Sequence, residues 1–278
     1  MTDDSRFTDP SLLDALTDIA SQAGAAILRI REHGIVARTK SDSSPVTDAD
    51  EAAEAIILDG LTQVLPGVGV VSEEIASRTE ITQVPDPFIL VDPLDGTREF
   101  VEGRDEFTVN IAIIEHGRPV AGVVAAPALQ TIWRGIVSKG AERIILPPGL
   151  TANTATDRLA LYTAAYGGGA WRALVSRSHL DPDTEKWLCR FAAVERMNCG
   201  SSIKFCRIAE GKADVYPRLG PTSEWDISAG DAVLTAAGGV VLTPDRKQVR
   251  YGQIENRLKV PSFIAWSHPD DATRYSAS

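Results

Sequence analysis

The segment Phe88-Ile89-Leu90-Val91-Asp92-Pro93-Leu94-Asp95-Gly96-Thr97 constrains this chain most, because a purely apolar run ends abruptly in two carboxylates. Four consecutive apolar residues read as a buried strand that emerges at a turn. Pro93 holds Asp92 extended, and Gly96 permits backbone angles that other residues resist. Asp92 and Asp95, three residues apart on such a turn, can converge on one point, with the Leu94 carbonyl as a third oxygen. Oxygen-rich sites of this kind suit hard cations such as Mg²⁺. A solvated Asx turn uses the same residues, so the motif alone leaves both readings open.

The flanking pattern alternates helices and strands without repeats. Asp9 as cap and Pro10 at the first helical position open a helix. Its stripe is Leu12, Leu16, Ile19, Ala23, Ile27 and Ile30, and Gly34 ends it. A second helix starts near Thr47, points Ala53, Ile56, Ile57 and Leu61 inward, and stops before Pro66. Strand patterns follow at 68–71, 88–91, 108–114, 120–125 and 131–137, the third and fourth forming a hairpin through His116-Gly117-Arg118-Pro119. Pro147-Pro148-Gly149 and the polar stretch 151–158 mark the expected boundary between an N-terminal α+β half, 1–150, which binds metal, and a C-terminal α/β half, 151–278, which recognises substrate. Beyond it the pattern predicts strands at 173–176, 240–242 and 262–266, with helices at 182–193, 202–211 and 226–237. Layers of helices and sheets are the expected result.

Composition narrows the function. The formal charge of −10 argues against nucleic acid as a partner, which would need a basic face. No apolar run reaches the roughly 18–20 residues of a membrane helix, and the acidic, polar start does not resemble a secretory signal. The cysteines, Cys189, Cys199 and Cys206, lack paired metal spacing and read as small buried thiols in a reducing cytoplasm.

Other acids keep company with the turn. The strand 68–71 also ends in acid, at Ser72-Glu73-Glu74. Trp225-Asp226 opens an apolar helix, where the aspartate could simply cap it. Asp50 sits in the first turn of the second helix, where the helix dipole favours it. Each is weak alone; together they supply enough carboxylates for a two-metal hydrolytic site.

At this point the residues resemble a family. Asp92-Pro93-Leu94-Asp95-Gly96-Thr97 followed far downstream by Trp225-Asp226 is similar to the Mg²⁺-dependent, Li⁺-sensitive phosphatases of the inositol monophosphatase superfamily. Four stretches resemble its CysQ-type 3′(2′),5′-bisphosphate nucleotidase branch: Ser44-Pro45-Val46-Thr47; the segment from Gly103-Arg104-Asp105 to Asn110; Ser176-Arg177-Ser178-His179; and Tyr216-Pro217-Arg218 continuing to Asp226. The likeness runs from Lys40 through Gly239. It implies a layered αβαβα sandwich of the sugar-phosphatase type. It also implies one Mg²⁺ on Glu73, Asp92 and the Leu94 carbonyl, a second on Asp92, Asp95 and Asp226, and catalytic roles for Asp50, Thr97 and Glu73. Asp50 would help place a third, weaker ion. The same likeness points to sulfur assimilation, allows peripheral association with the inner membrane, and leaves monomer or homodimer open.

For the substrate, Gly96 and Thr97 can offer backbone N–H groups to phosphate if a helix starts at Thr97. Gly200, Ser201, Ser202 and Lys204 open another helix with donors and a cation; an ordinary capped helix with a solvated lysine fits equally. Where inositol monophosphatases carry an acid that binds inositol hydroxyls, this chain carries Arg218, which prefers a second phosphate. Lys40, Ser178 and His179 are further candidates at the mouth, and 141–171 departs most from the family pattern, leaving base recognition open. The expected substrate is therefore a small bisphosphorylated nucleotide, with inositol or fructose bisphosphate phosphatases as alternatives. A catalytically silent metal- or nucleotide-binding protein is disfavoured because no member of the acidic set is missing.

Overall fold

The computed structural model describes residues 6–35, 37–39, 45–177 and 180–275. Lys40, Ser178 and His179 lie outside them.

Helix α1 (Pro10–His33) begins where Asp9 accepts the Ser11 N–H at 2.9 Å and ends at Gly34, whose φ of 105° few other residues tolerate. Its stripe from Leu12 to Ile27 is buried, with Ile30 only half-covered. The short strands β1 (Ala37–Thr39) and β2 (Pro45–Thr47) pair antiparallel ahead of helix α2 (Asp48–Val64). Thr47 and Asp50 close a reciprocal capping box at its start. Ala53, Ile57 and Leu61 face inward as expected, and Ile56 is half-buried.

Strand β3 (Gly69–Ser72) runs into helix α3 (Glu73–Arg78), and β4 (Phe88–Asp95) into helix α4 (Thr97–Val101). The β4 strand does not stop at Asp92; it continues through Asp95, with a bulge against its neighbour between the two aspartates. A bulge tolerates Pro93, which has no N–H for the ladder. Strands β5 (Thr108–Glu115) and β6 (Arg118–Ala126) form the expected hairpin, turning at His116 and Gly117 with φ of 52° and 70°. Then come β7 (Thr131–Ile136), β8 (Gly140–Ile145) and β9 (Thr156–Leu161). The seven strands β3 to β9 lie in chain order, antiparallel except for the β3–β4 pair. The last strand comes from beyond position 150, so the first sheet ends at Leu161. Five of its six residues are exposed, as befits an edge strand, and no alternation betrays it in the sequence.

The remaining elements are β10 (Trp171–Ser176), α5 (Pro182–Leu188), β11 (Val194–Cys199), α6 (Ile203–Ala209), β12 (Val215–Arg218), β13 (Thr222–Ser223), α7 (Glu224–Ala236), β14 (Val240–Leu242), β15 (Lys259–Val260), β16 (Phe263–Trp266) and α8 (Pro269–Tyr275). A second sheet has the order β11-β10-β12-β16-β14, and β13 pairs with β15 beside it. Helix α5 ends five residues earlier than 193. Cys189 caps it and is exposed, correcting the expectation of three buried thiols; Trp187 and Leu188 take the covered face instead.

Five layers result. One face of the first sheet, through Ile89, Val91, Ile111 and Ile113, packs on α1 and α2. The opposite face, through Leu90, Ala112, Ile114 and Val124, packs on α6 and α7, which also cover Tyr216, Phe263 and Ala265 of the second sheet. The outer face of the second sheet buries Trp171, Val215 and Trp266 against Trp187 of α5 and Ala272 of α8. This is the expected αβαβα sandwich. The strands read as continuous apolar runs because helices cover both faces.

Candidate active site

Helices α2, α3, α4 and α7 start near one another, and each brings an acid or hydroxyl in its first turn. Asp50 belongs to α2, Glu73 to α3, Thr97 to α4 and Asp226 to α7, while Asp92 and Asp95 come from the bulged end of β4. Acids are stabilised there because the unpaired N–H groups of a helix start carry partial positive charge.

One carboxylate oxygen from each of Glu73, Asp92 and Asp226 lies within 4.8 Å of the other two. Three of the expected ligands therefore come together, while Asp95 and Leu94 border the same cavity outside that cluster. Asp226 occupies the third helical position rather than the cap; its Oδ2 accepts the Ser223 N–H at 3.1 Å and the Thr222 hydroxyl. Asp92 Oδ1 accepts the Leu94 N–H at 3.0 Å. The Leu94 carbonyl accepts the Thr97 hydroxyl at 3.0 Å, and that hydroxyl also lies 3.4 Å from Asp50 Oδ1. The other oxygen of Asp50 accepts both the N–H and the hydroxyl of Thr47 at 2.7 Å.

Burial, and then the crowding of like charge, shows in the proton affinities. Burial pushes the Asp92 carboxyl far above the usual range, and Glu73, Asp95 and Asp226 push it further. Asp95 is pushed up to about 7, by burial first and then by Asp226; Lys204, the Ser202 N–H and Arg218 temper the rise. Among the described residues no ion pair neutralises Asp92, Asp95 or Asp226. A compact set of oxygen donors whose charges repel one another fits a hard divalent cation, which would remove that penalty.

These residues line a cavity of about 300 Å³. Gly96, Thr97, Ser201, Ser202, Lys204 and Arg218 border it, as expected of substrate residues. Gly96 adopts φ 91°, so that α4 starts at Thr97. Arg218 is half-buried, interacts with the Tyr216 side chain, and donates to the Pro221 carbonyl at a long 3.4 Å. Lys204 is not a solvated lysine: it is buried and donates to the carbonyls of Ser201 at 2.6 Å and Cys199 at 3.3 Å. Gly200 stands back from the cavity, its N–H held by Glu106 at 3.0 Å. Trp225 is buried, and the four other tryptophans are core.

Sequence reasoning missed Ser176, Tyr216, Glu99 and Lys259, which line the same cavity. Lys259 donates to Ser223 Oγ at 2.6 Å and lies 5.8 Å from the Trp225 ring. No local signal marks it, because β13–β15 pairing alone brings it there. Residues 141–161 span β8, β9 and the connection between them, four and five strands from β4, and none of 141–171 lines the cavity.

A layered αβαβα sandwich with an acidic cluster where its helices begin defines the class: a sugar-phosphatase-type, metal-dependent phosphatase fold. A family model, the inositol monophosphatase family, matches residues 9–273. The 3′(2′),5′-bisphosphate nucleotidase CysQ of Escherichia coli K12 is 38% identical over 255 residues, covering 91% of this chain and 98% of that protein. CysQ of Haemophilus influenzae is 30% identical over 256 residues, 91% of each chain. The crystal structure of CysQ from Bacteroides thetaiotaomicron superposes with a TM-score of 0.75 at 35% identity, covering 92% of this chain and 97% of that one. An inositol monophosphatase from Thermotoga maritima, at 21% identity and TM-score 0.72, covers 93% of each chain and shares the fold. The chain belongs to the inositol monophosphatase family.

Proposed function

We propose that this enzyme hydrolyses the 3′-phosphate of 3′-phosphoadenosine 5′-phosphate to give AMP and phosphate, and that it also accepts the sulfated analogue. The observation that carries the substrate is Arg218, which lines the cavity with Asp95 and Asp226, feels their charge, and among the described residues forms no ion pair with either. A planar, permanently charged fork suits a second phosphate better than sugar hydroxyls. The CysQ relatives support the same reading.

Glu73, Asp92 and the Leu94 carbonyl would hold one Mg²⁺, and Asp92, Asp95 and Asp226 a second; Asp50 would help place a third, weaker one. Bound there, Mg²⁺ supplies charge neutralisation and a more acidic water. The protein's own part is alignment and proton handling. Thr97 Oγ1, between Asp50 Oδ1 and the Leu94 carbonyl, can take a proton from the attacking water and pass its own to Asp50. Gly96 and Thr97 at the start of α4 offer N–H groups to the phosphate. Arg218 anchors the 5′-phosphate, so that the 3′-ester faces the acidic cluster.

Product analysis tests this directly. Purified protein incubated with Mg²⁺ and 3′-phosphoadenosine 5′-phosphate should yield AMP and phosphate by chromatography, and chelation of the metal should stop it. Accumulation of adenosine 3′-phosphate would reverse the assigned orientation.

A further inference from the structure

Ser202 borders the cavity, yet its hydroxyl is committed to the first sheet. It donates to Asn110 Oδ1 at 2.7 Å and pairs with Thr108 Oγ1 at 2.8 Å, all three side chains being buried. Its backbone N–H donates to Asp95 Oδ2 at 2.6 Å. In the register of β4 and β5, Thr108 lies opposite Asp95 and Asn110 opposite Asp92, one on each side of the bulge. Two residues earlier, the Gly200 N–H reaches Glu106, which also pairs with Arg177 at 3.0 Å. A Cβ on Gly200 would come within 2.9 Å of the Glu106 carbonyl, so the segment sits tightly on the start of β5.

Asn110 adds an independent sign. It precedes the apolar run Ile111–Ile114 in a buried stretch of β5, and among the described residues its Nδ2 finds no hydrogen-bond partner. Burying an unpaired amide donor is costly. The acceptor on the same side chain gives the residue a reason to be there, because it fixes the Ser202 hydroxyl.

We infer that Ser202 is a positioning residue for Asp95. Its hydroxyl, gripped by Thr108 and Asn110, fixes the backbone N–H that occupies Asp95 Oδ2 and leaves the other carboxylate oxygen for a cation. A segment of the second half thereby sets the aim of a metal-binding aspartate in the first. The inference rests on the proposed metal-dependent chemistry at Asp95.

Calorimetry with Mg²⁺ alone, without substrate, tests it on three full-length variants: Ser202→Ala, the isosteric Thr108→Val, and the pair together. Each single variant should weaken Mg²⁺ binding by about tenfold, the scale typical of groups that orient metal ligands. The double variant should lose little more, because both changes break one chain of hydrogen bonds. With 3′-phosphoadenosine 5′-phosphate, kcat at fixed Mg²⁺ should fall while KM stays put. Unchanged Mg²⁺ affinity in Thr108→Val, which keeps the packing, would overturn the inference. So would a rise in KM alone for Ser202→Ala, which would make Ser202 a substrate contact. If the unsubstituted protein bound no Mg²⁺, the metal reading itself would fail; if it bound normally and so did the variants, only this inference would.

Discussion

Asp95 is the residue whose surroundings pull hardest in opposite directions. Burial and Asp226 raise its proton affinity, while Lys204, Ser202 and Arg218 favour the charged form. Its pKa in the metal-free fold, about 7, stands above the ordinary carboxylate value, so its contribution to folding is fully present below about pH 4 and is lost as pH rises through 7. Mg²⁺ requires the ionised forms of Asp95 and of Asp92, whose proton affinity is also raised, and its affinity should therefore rise with pH by up to about tenfold per unit for each proton displaced. Calorimetry in two buffers of different ionisation enthalpy would show proton release on Mg²⁺ binding that is greater below pH 7 than above it, as the share from Asp95 falls away. Asp95→Asn should diminish that release and abolish turnover. Arg218→Glu should depress kcat/KM for the bisphosphate nucleotide by roughly a hundredfold, the loss of a charge-assisted anchor of about 2–3 kcal/mol. Hydrolysis of a simple monophosphate should change far less, and a substrate comparison at saturating Mg²⁺ would show the difference.

The elements explain why the acids meet. Helix α6 lies so close to α7 that a Cβ on Gly230 would fall 2.4 Å from the Phe205 ring. Gly230→Ala should therefore destabilise the protein by about 1–3 kcal/mol in urea denaturation, as overpacking does. Because α7 begins with the Asp226 turn and α6 follows Ser202, the same change should weaken Mg²⁺ binding. The elements legible in the sequence were those with strong end signals or unbroken apolar runs: α1 with its Asp9 cap, α2 with its Thr47 cap, and the β5–β6 hairpin. Edge strands β9 and β11, largely exposed, carry no alternation and were not read. The acidic set was legible because each acid follows a strand or opens a helix. The roles of Ser202 and Lys204 were not, since hydrogen bonds to Asn110 and to the carbonyls of Ser201 and Cys199 join residues that no local pattern relates. Lys259 was hidden for the same reason.

At the scale of the whole molecule, residues from both halves share one hydrophobic core through Leu90, Ile114, Phe205 and Val233. A cation held by Glu73 and Asp92 from one half and Asp226 from the other would link the two further. Mg²⁺ at about 100 times its dissociation constant should stabilise the fold by about 2.7 kcal/mol. That corresponds to a rise in Tm of roughly 5–10 °C, visible by differential scanning calorimetry above pH 7. The rise should shrink as the pH falls below 7, where protons compete for the same oxygens. The most direct test of the whole account is the ratio of kcat/KM for 3′-phosphoadenosine 5′-phosphate to that for inositol 1-phosphate, measured with Mg²⁺ under identical conditions. A ratio well above one, with no turnover of either in the absence of divalent metal, is the expected result. A preference for inositol 1-phosphate, or turnover that survives metal removal, would contradict it.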